Sequence, residues 1–311
     1  MGSLDFQGLV VRVTGKEVWV DTGTGVAPCL LRGRLRKRRG EFQIVAGDRV
    51  ELTTPARSGE SAAIESVLPR HSHLSRFTGG RSAEERVIVA NVDTLFLVES
   101  ARSPDASARF VDRVLVSAEN GRVPVHICLN KMDLASENDE MSVFVRTYTT
   151  LGYPVTLTSA TTGAGIQEVA SLLKGGIYAF VGRSGVGKSS LLNRIAPELN
   201  LRVREVAEKT GRGRHTTTYS QLYPIKGGYV ADTPGMQTFG YPGSDRRDLA
   251  ACFPEFRSFE GGCRFSPCTH SHEPECAVKA AVAEGNIALT RHESYIDMLA
   301  EVELREKSRY S

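Results

Sequence analysis

The sequence predicts a multidomain chain: an N-terminal all-β barrel, a central α/β unit with a mostly parallel sheet, and a helical C-terminal module. Three observations carry this. Short β-rich runs separated by glycine turns fill about the first 70 residues. From residue 87 onward, apolar runs alternate with helix-period segments, and several of the runs end in polar motifs. Three cysteines then crowd beside histidines within residues 263–276.

Composition bounds the class. The 311 residues are 41% apolar and 24% charged, ordinary globular values. No run approaches the roughly 18 apolar residues of a membrane span. Residues 1–8 lack a basic-then-apolar secretory pattern. The expectation is a soluble, cytoplasmic protein with no membrane partner. The net charge of +3 hides a local concentration: Arg32, Arg34, Arg36, Lys37, Arg38 and Arg39 lie within eight residues with no acid between them. That density points to a polyanion, and nucleic acid is the natural one. Cys29, Cys128 and Cys252 are scattered among apolar neighbours and read as buried thiols.

Residues 1–72 read as the barrel. Strands are expected at 9–13, 17–21, 29–31, 49–52 and 62–68, with turns at 14–16, 22–25 and 46–48. Five short strands in this length suggest an OB-like barrel. The arginine-rich segment falls between the third and fourth strands, where it would face RNA backbone. Residues 73–86 lack periodicity and contain Thr78-Gly79-Gly80-Arg81-Ser82, so they read as a linker.

Residues 87–242 read as the α/β unit. Strands are expected at 92–98, 123–129, 155–158, 177–181 and 228–231, with helices at 110–118, 143–151 and 166–173 between them. Ligands of such sheets bind at the carboxyl ends of the strands. Residues 243–311 form the last part, helical from 287 to 310 with Tyr295, Met298, Leu299 and Val302 on one face.

Four strand ends carry chemistry. Gly182-Arg183-Ser184-Gly185-Val186-Gly187-Lys188-Ser189-Ser190 joins strand to helix with the spacing of a phosphate loop. Its glycines allow sharp turns and expose backbone N–H groups to phosphate. Lys188 would reach the β- and γ-phosphates, and the Ser189 hydroxyl would ligate Mg²⁺. Asn130-Lys131-Met132-Asp133 reads the base: the Asp133 carboxylate would accept from guanine N1–H and N2–H₂, Lys131 would cover the ring, and Asn130 would tie this loop to the phosphate loop. Ser159-Ala160 would present an amide to guanine O6. Asp232 would hold Mg²⁺ through water, and the Gly235 amide would sense the γ-phosphate. Between them, Thr217, or else Thr216, would complete the Mg²⁺ shell. Together these motifs imply GTP, with Mg²⁺, rather than ATP.

Their order is unusual. A Ras-like GTPase runs phosphate loop, switch I, D-x-x-G, N-K-x-D, S-A. Here N-K-x-D and S-A come first, which reads as a circular permutation closed through residues 173–176. The C-terminal part, coming directly after the Asp232 loop, is therefore attached to the γ-phosphate sensor. Cys263, Cys268 and Cys276, with His270 or His272, would complete one tetrahedral structural zinc site.

This arrangement closely resembles the ribosome small subunit-dependent GTPase A (RsgA, YjeQ) family over nearly the whole chain. The Cys-x4-Cys-x-His-x5-Cys spacing implies Cys263, Cys268, His270 and Cys276 as the zinc ligands. The resemblance implies a GTP hydrolase that binds the small ribosomal subunit and its rRNA, assists late maturation, and helps release another assembly factor. Met236 stands directly after D-x-x-G, where many relatives of Ras place a water-orienting glutamine; Gln237 is one step late. Slow intrinsic turnover, stimulated by the subunit, is expected of a monomer. His215 resembles the histidine proposed to orient water in this family. The competing readings are a GTP-driven metallochaperone and a GTP-bound RNA clamp without turnover.

Overall fold

The computed structural model describes residues 4–14, 17–32, 44–53, 61–78, 84–135, 139–199, 221–232, 239–241, 243 and 245–309. The barrel comprises β1 (Leu4–Thr14), β2 (Glu17–Asp21), β3 (Val26–Leu31), β4 (Arg49–Thr53) and β5 (Ala63–Val67). β1 pairs antiparallel with both β2 and β4, β3 pairs parallel with β5, and β4–β5 completes the circuit 1-2-3-5-4-1. Period-two alternation drives closure. Val18 and Val20 of β2 and Val50 and Leu52 of β4 point inward with Val10 and Ile64. Gly8 is required by close packing, since a Cβ there would lie 2.3 Å from Val20 Cγ1.

Of residues 73–86, expected as a linker, those described, 73–78 and 84–86, are strand instead. β6 (His73–Thr78) and β7 (Glu84–Ala90) pair antiparallel as a hairpin. Leu74 and Val89 are buried in the central core, and the His73 amide donates to the Gly121 carbonyl at 2.9 Å. A register shift between Leu74 and Ser75 breaks the strict alternation, so the sequence shows little period. The fully buried Asp48 carboxylate ties the hairpin's approach to the barrel by accepting from Arg70 at 2.7 and 2.9 Å.

The α/β unit continues the chain as β8 (Thr94–Ser100), α1 (Ala108–Asn120), β9 (Val125–Asn130), α2 (Asp139–Thr150), β10 (Val155–Leu157), α3 (Ile166–Ser171), β11 (Gly176–Val181), α4 (Lys188–Ile195), β12 (Gln221–Ile225) and β13 (Gly228–Asp232). Sheet order is β10-β9-β8-β11-β13-β12, parallel except for β12. Alternate residues of β8 serve opposite faces. Leu95 and Leu97 pack with Val111, Val114 and Leu115 of α1, while Phe96 and Val98 pack with Leu191 and Leu192 of α4. β12 was not expected from the sequence. It joins the two sheets, because Arg12 of β1 pairs with Gln221. Arg12 also lies over the Trp19 ring at 4.5 Å, and Tyr229 bonds Asp21 across the same junction.

The C-terminal part contains α5 (Arg246–Ala251), α6 (Ala277–Ala283) and α7 (Leu289–Arg309). Tyr295, Met298, Leu299 and Val302 are buried on one face of α7, against Leu249, Phe253 and Phe256. α7 is anchored to α1 by Arg291, which reaches Asp112 at 2.8 Å and Glu255 at 2.7 Å with all three side chains buried. Among the described residues, no helix is long and apolar enough to cross a membrane.

Candidate nucleotide pocket and metal centre

Because β8, β9, β10, β11 and β13 run parallel, their carboxyl ends share one edge of the sheet. Residues 182–187 turn there from β11 into α4, with Gly185 at φ +82° and Gly187 at φ +87°. Two of these glycines are also required by packing. A Cβ at Gly182 would lie 2.2 Å from the Val98 carbonyl oxygen, and one at Gly187 would lie 2.4 Å from Asn130 Nδ2. Ser184 and Ser190 are exposed, Val186 is buried, and Lys188 and Ser189 open α4.

Asn130 is the stitch between the loops. It is 1% exposed. Its Nδ2 donates to the Val186 carbonyl at 3.0 Å, and its Oδ1 accepts from the Ala160 amide at 3.2 Å and from Thr158 Oγ1 at 3.3 Å. The Ala160 amide, expected at guanine O6, thus has a protein acceptor here. Ser159 Oγ donates to Asp133 Oδ1 at 2.5 Å, which fixes one carboxylate oxygen. Met132 and Asp133 lie in a tight turn entered through Lys131 in the left-handed region, at φ 59°. Lys131 Nζ donates to the Ser103 carbonyl. Sequence reading missed Ser103 and Thr158. The signal for Ser103 was present: the stretch after β8 is a fifth strand end on the same edge.

Asp232 closes β13 at this edge. His215, Thr216, Thr217 and Gly235, with Met236 and Gln237, lie outside the described residues, as do Arg34, Arg36, Lys37, Arg38 and Arg39. A cleft of about 290 Å³ lies elsewhere, at the amino ends of the strands beside the barrel, between Asp21, Arg49, Asp93 and Tyr229. It is remote from the motif cluster, and the chemistry of its lining does not match a triphosphate.

The second constellation is Cys263, Cys268, His270 and Cys276, whose donor atoms all lie within 4.8 Å of one another. Cys263 Sγ is 3.8 Å from Cys276 Sγ and 3.6 Å from His270 Nδ1, and His270 Nδ1 is 3.4 Å from Cys276 Sγ. A tetrahedral zinc with ordinary bond lengths has S···S edges of about 3.8 Å and S···N edges of about 3.5 Å. The donor set therefore fits one such ion. His272 is outside it, bonded to Ser271 Oγ at 2.9 Å. Burial lowers the His270 pKa and so favours the neutral, ligating imidazole. The supporting shell is specific. The His270 carbonyl accepts from His292 Nε2 at 2.9 Å, and Tyr295 Oη donates to the Thr269 carbonyl at 2.7 Å. Glu273 accepts from the Thr269 amide at 2.7 Å and from its hydroxyl at 2.6 Å. Burial opposes the Glu273 charge, but these bonds prevail and hold its carboxyl at about 2.

A parallel sheet carrying N-K-x-D and S-A upstream of its phosphate loop, joined to a closed five-stranded barrel, defines a circularly permuted P-loop GTPase. The profile of the RsgA GTPase family matches residues 67–242. The chain is 39% identical over 299 residues to the small ribosomal subunit biogenesis GTPase RsgA of Gemmatimonas aurantiaca, covering 95% of this chain and 97% of that one. It is 41% identical over 303 residues to the protein of the same name from Moorella thermoacetica, covering 97% and 99%. Among solved structures, YjeQ from Thermotoga maritima matches with a TM-score of 0.73 and 38% identity, covering 96% of this chain and 98% of that one. YloQ, a circularly permuted GTPase, matches with a TM-score of 0.72 and 28% identity, covering 96% of each chain. The chain belongs to the RsgA GTPase family.

Proposed function

We propose that this protein hydrolyses GTP with Mg²⁺ and uses the cycle to assist late maturation of the small ribosomal subunit. The observation that carries the nucleotide reading is Asn130, which joins the base-reading loop, the Ser159-Ala160 turn and the phosphate loop at 3.0–3.3 Å. Family membership and the names of the relatives support the ribosomal role.

In this reading Asp133 accepts from guanine N1–H and N2–H₂, while Lys131 covers the ring. Gly182 to Ser190 hold the phosphates. Ser189 and Thr217, or Thr216, ligate Mg²⁺ with Asp232 beyond them, and Gly235 senses the γ-phosphate. His215 orients the attacking water, because the Met236 thioether cannot. Intrinsic turnover is accordingly slow. Cys263, Cys268, His270 and Cys276 hold one structural zinc; the set leaves no position for a catalytic water. The barrel (1–72) and the C-terminal module (243–311) grip rRNA, and the hydrolase unit (87–242) reports its state to them. The protein acts as a cytoplasmic monomer.

GTP turnover measured with small subunits, with large subunits and alone tests this. Strong stimulation by small subunits only is expected. Binding without turnover under every condition would leave a GTP-gated clamp instead, and zinc lost to mild chelation would favour a metallochaperone.

A further inference from the structure

Arg183 is the second residue of the phosphate loop, and charge alone would assign its guanidinium to phosphate. The geometry directs it elsewhere. Leu97 of β8 stands opposite Val181 of β11 in a parallel pair, so Glu99 and Arg183, each two residues further on, emerge side by side on one face. The Glu99 side chain is fully buried. Arg183 Nε donates to Glu99 Oε1 at 2.9 Å, and Nη2 donates to Oε2 at 2.7 Å, a two-bond fork. Nη2 also donates to the Asp105 carbonyl.

These bonds extend into the segment after β8. Ser100 Oγ donates to the Pro104 carbonyl at 2.6 Å, the Ala101 amide donates to the Asn130 carbonyl at 2.8 Å, and Lys131 Nζ donates to the Ser103 carbonyl. Residues 101–105 are therefore held to the phosphate loop through Arg183 and to the base-reading loop through Lys131 and Asn130. The loop's first glycine already touches β8, where Gly182 leaves no room for a Cβ against the Val98 carbonyl.

We propose that Glu99 and Arg183 form a positioning pair that fixes the phosphate loop against the end of β8, so that its backbone N–H groups meet the nucleotide's β-phosphate in register. This rests on the reading of residues 182–190 as a phosphate loop. Arg183 acts through the loop backbone and is not itself a phosphate ligand. A fork made from one planar guanidinium sets both distance and orientation, which lysine cannot reproduce. Small displacements of aligned groups have large effects on what they bind.

The test compares GDP and GMP affinities of the full chain by displacement of a fluorescent guanine nucleotide. GMP brings only its α-phosphate to the loop, whereas GDP adds the β-phosphate whose register the pair is proposed to set. The double variant E99M/R183M avoids stranding a buried carboxylate. It is expected to unfold in one cooperative step and to lose more affinity for GDP than for GMP, binding GDP on the order of tenfold more weakly. R183K, with Glu99 intact, is expected between the two. If the double variant does not fold, R183K and E99Q carry the same comparison. Unchanged GDP affinity in the folded variants overturns the proposal, as does a parallel fall for GMP and GDP. Wild-type protein that bound neither nucleotide would instead remove the phosphate-loop reading on which the pair depends.

Discussion

Arg113 of α1 and Glu301 of α7 form a two-bond ion pair, Nη1 to Oε1 and Nη2 to Oε2, both at 2.8 Å. The third donor of the same guanidinium, Nε, reaches the Phe239 carbonyl at 2.7 Å. Phe239 is the first described residue after the Asp232 loop, and it packs edge-on against Phe110 at 6.1 Å. One side chain thus holds the return of that loop and the long C-terminal helix together. Arg113→Met is expected to lower unfolding free energy by about 2 kcal/mol, the scale of lost charge-assisted bonds to a partly buried group. Urea titration measures this. Hydrogen exchange should show α7 losing protection before β11 does.

Arg291 sits between Asp112 and Glu255 with 1% of its side chain exposed. Removing it leaves two carboxylates buried without their partner. Arg291→Met is expected to destabilise by about 3–5 kcal/mol. Arg291→Met with Asp112→Asn and Glu255→Gln should recover part of that loss. A single variant no less stable than the triple one would show that the ion pairs are not what joins α7 to α1.

Glu85 predicts an acid limb. Its carboxyl is held below its ordinary value of 4.5 by the His73 hydrogen bond first, against burial, with Ser75 and Asn120 also donating. The folded value is depressed, so the native state holds fewer protons than the unfolded one in this range. The resulting stability is present above the ordinary carboxylate value and is lost as pH falls through the folded one. Glu85→Gln should flatten the dependence of urea midpoint on pH below about 4.5. An unchanged acid limb would reject the assignment.

Asp133→Asn should weaken GTP binding by a factor on the order of 10⁴, because an amide cannot accept from both guanine donors. The same variant gains a donor for the C2 carbonyl of xanthine. Its preference should therefore shift toward xanthosine triphosphate in a displacement assay.

One zinc per chain is expected by elemental analysis. Cys276→Ser should abolish it, since Cys276 would contribute one of the thiolates and stands at the start of α6. Metal binding at such sites is coupled to folding. Strong chelation during mild heating should accordingly unfold the C-terminal module around Phe253 and Tyr295 while β8 to β11 persist, which near-ultraviolet circular dichroism and limited proteolysis would separate.

Much of this protein is written locally. The glycine spacing at 182–187, Asn130 to Asp133, and the four metal-site residues at 263–276 each fall within one short stretch of chain. Their chemistry is therefore legible without a fold. Alternation placed β2, continuous apolar runs placed β8 and β11, which are buried on both faces, and helical spacing placed the buried face of α7. The hairpin β6–β7 escaped because its register shift breaks the alternation, and β12 escaped because Pro224 interrupts a run of only five residues.

The amino-acid order alone thus specifies the chemical parts and the permuted sequence in which the chain carries them. Which distant side chains meet is settled by the folded arrangement. Glu99 and Arg183 are separated by 84 positions, Asp112 and Arg291 by 179, and Arg113 and Glu301 by 188. No local pattern encodes such pairs. They arise when strand order brings β8 beside β11 and when α7 folds back on α1, and burial of Glu99 and of the Asp112–Arg291 pair makes those charges strong constraints.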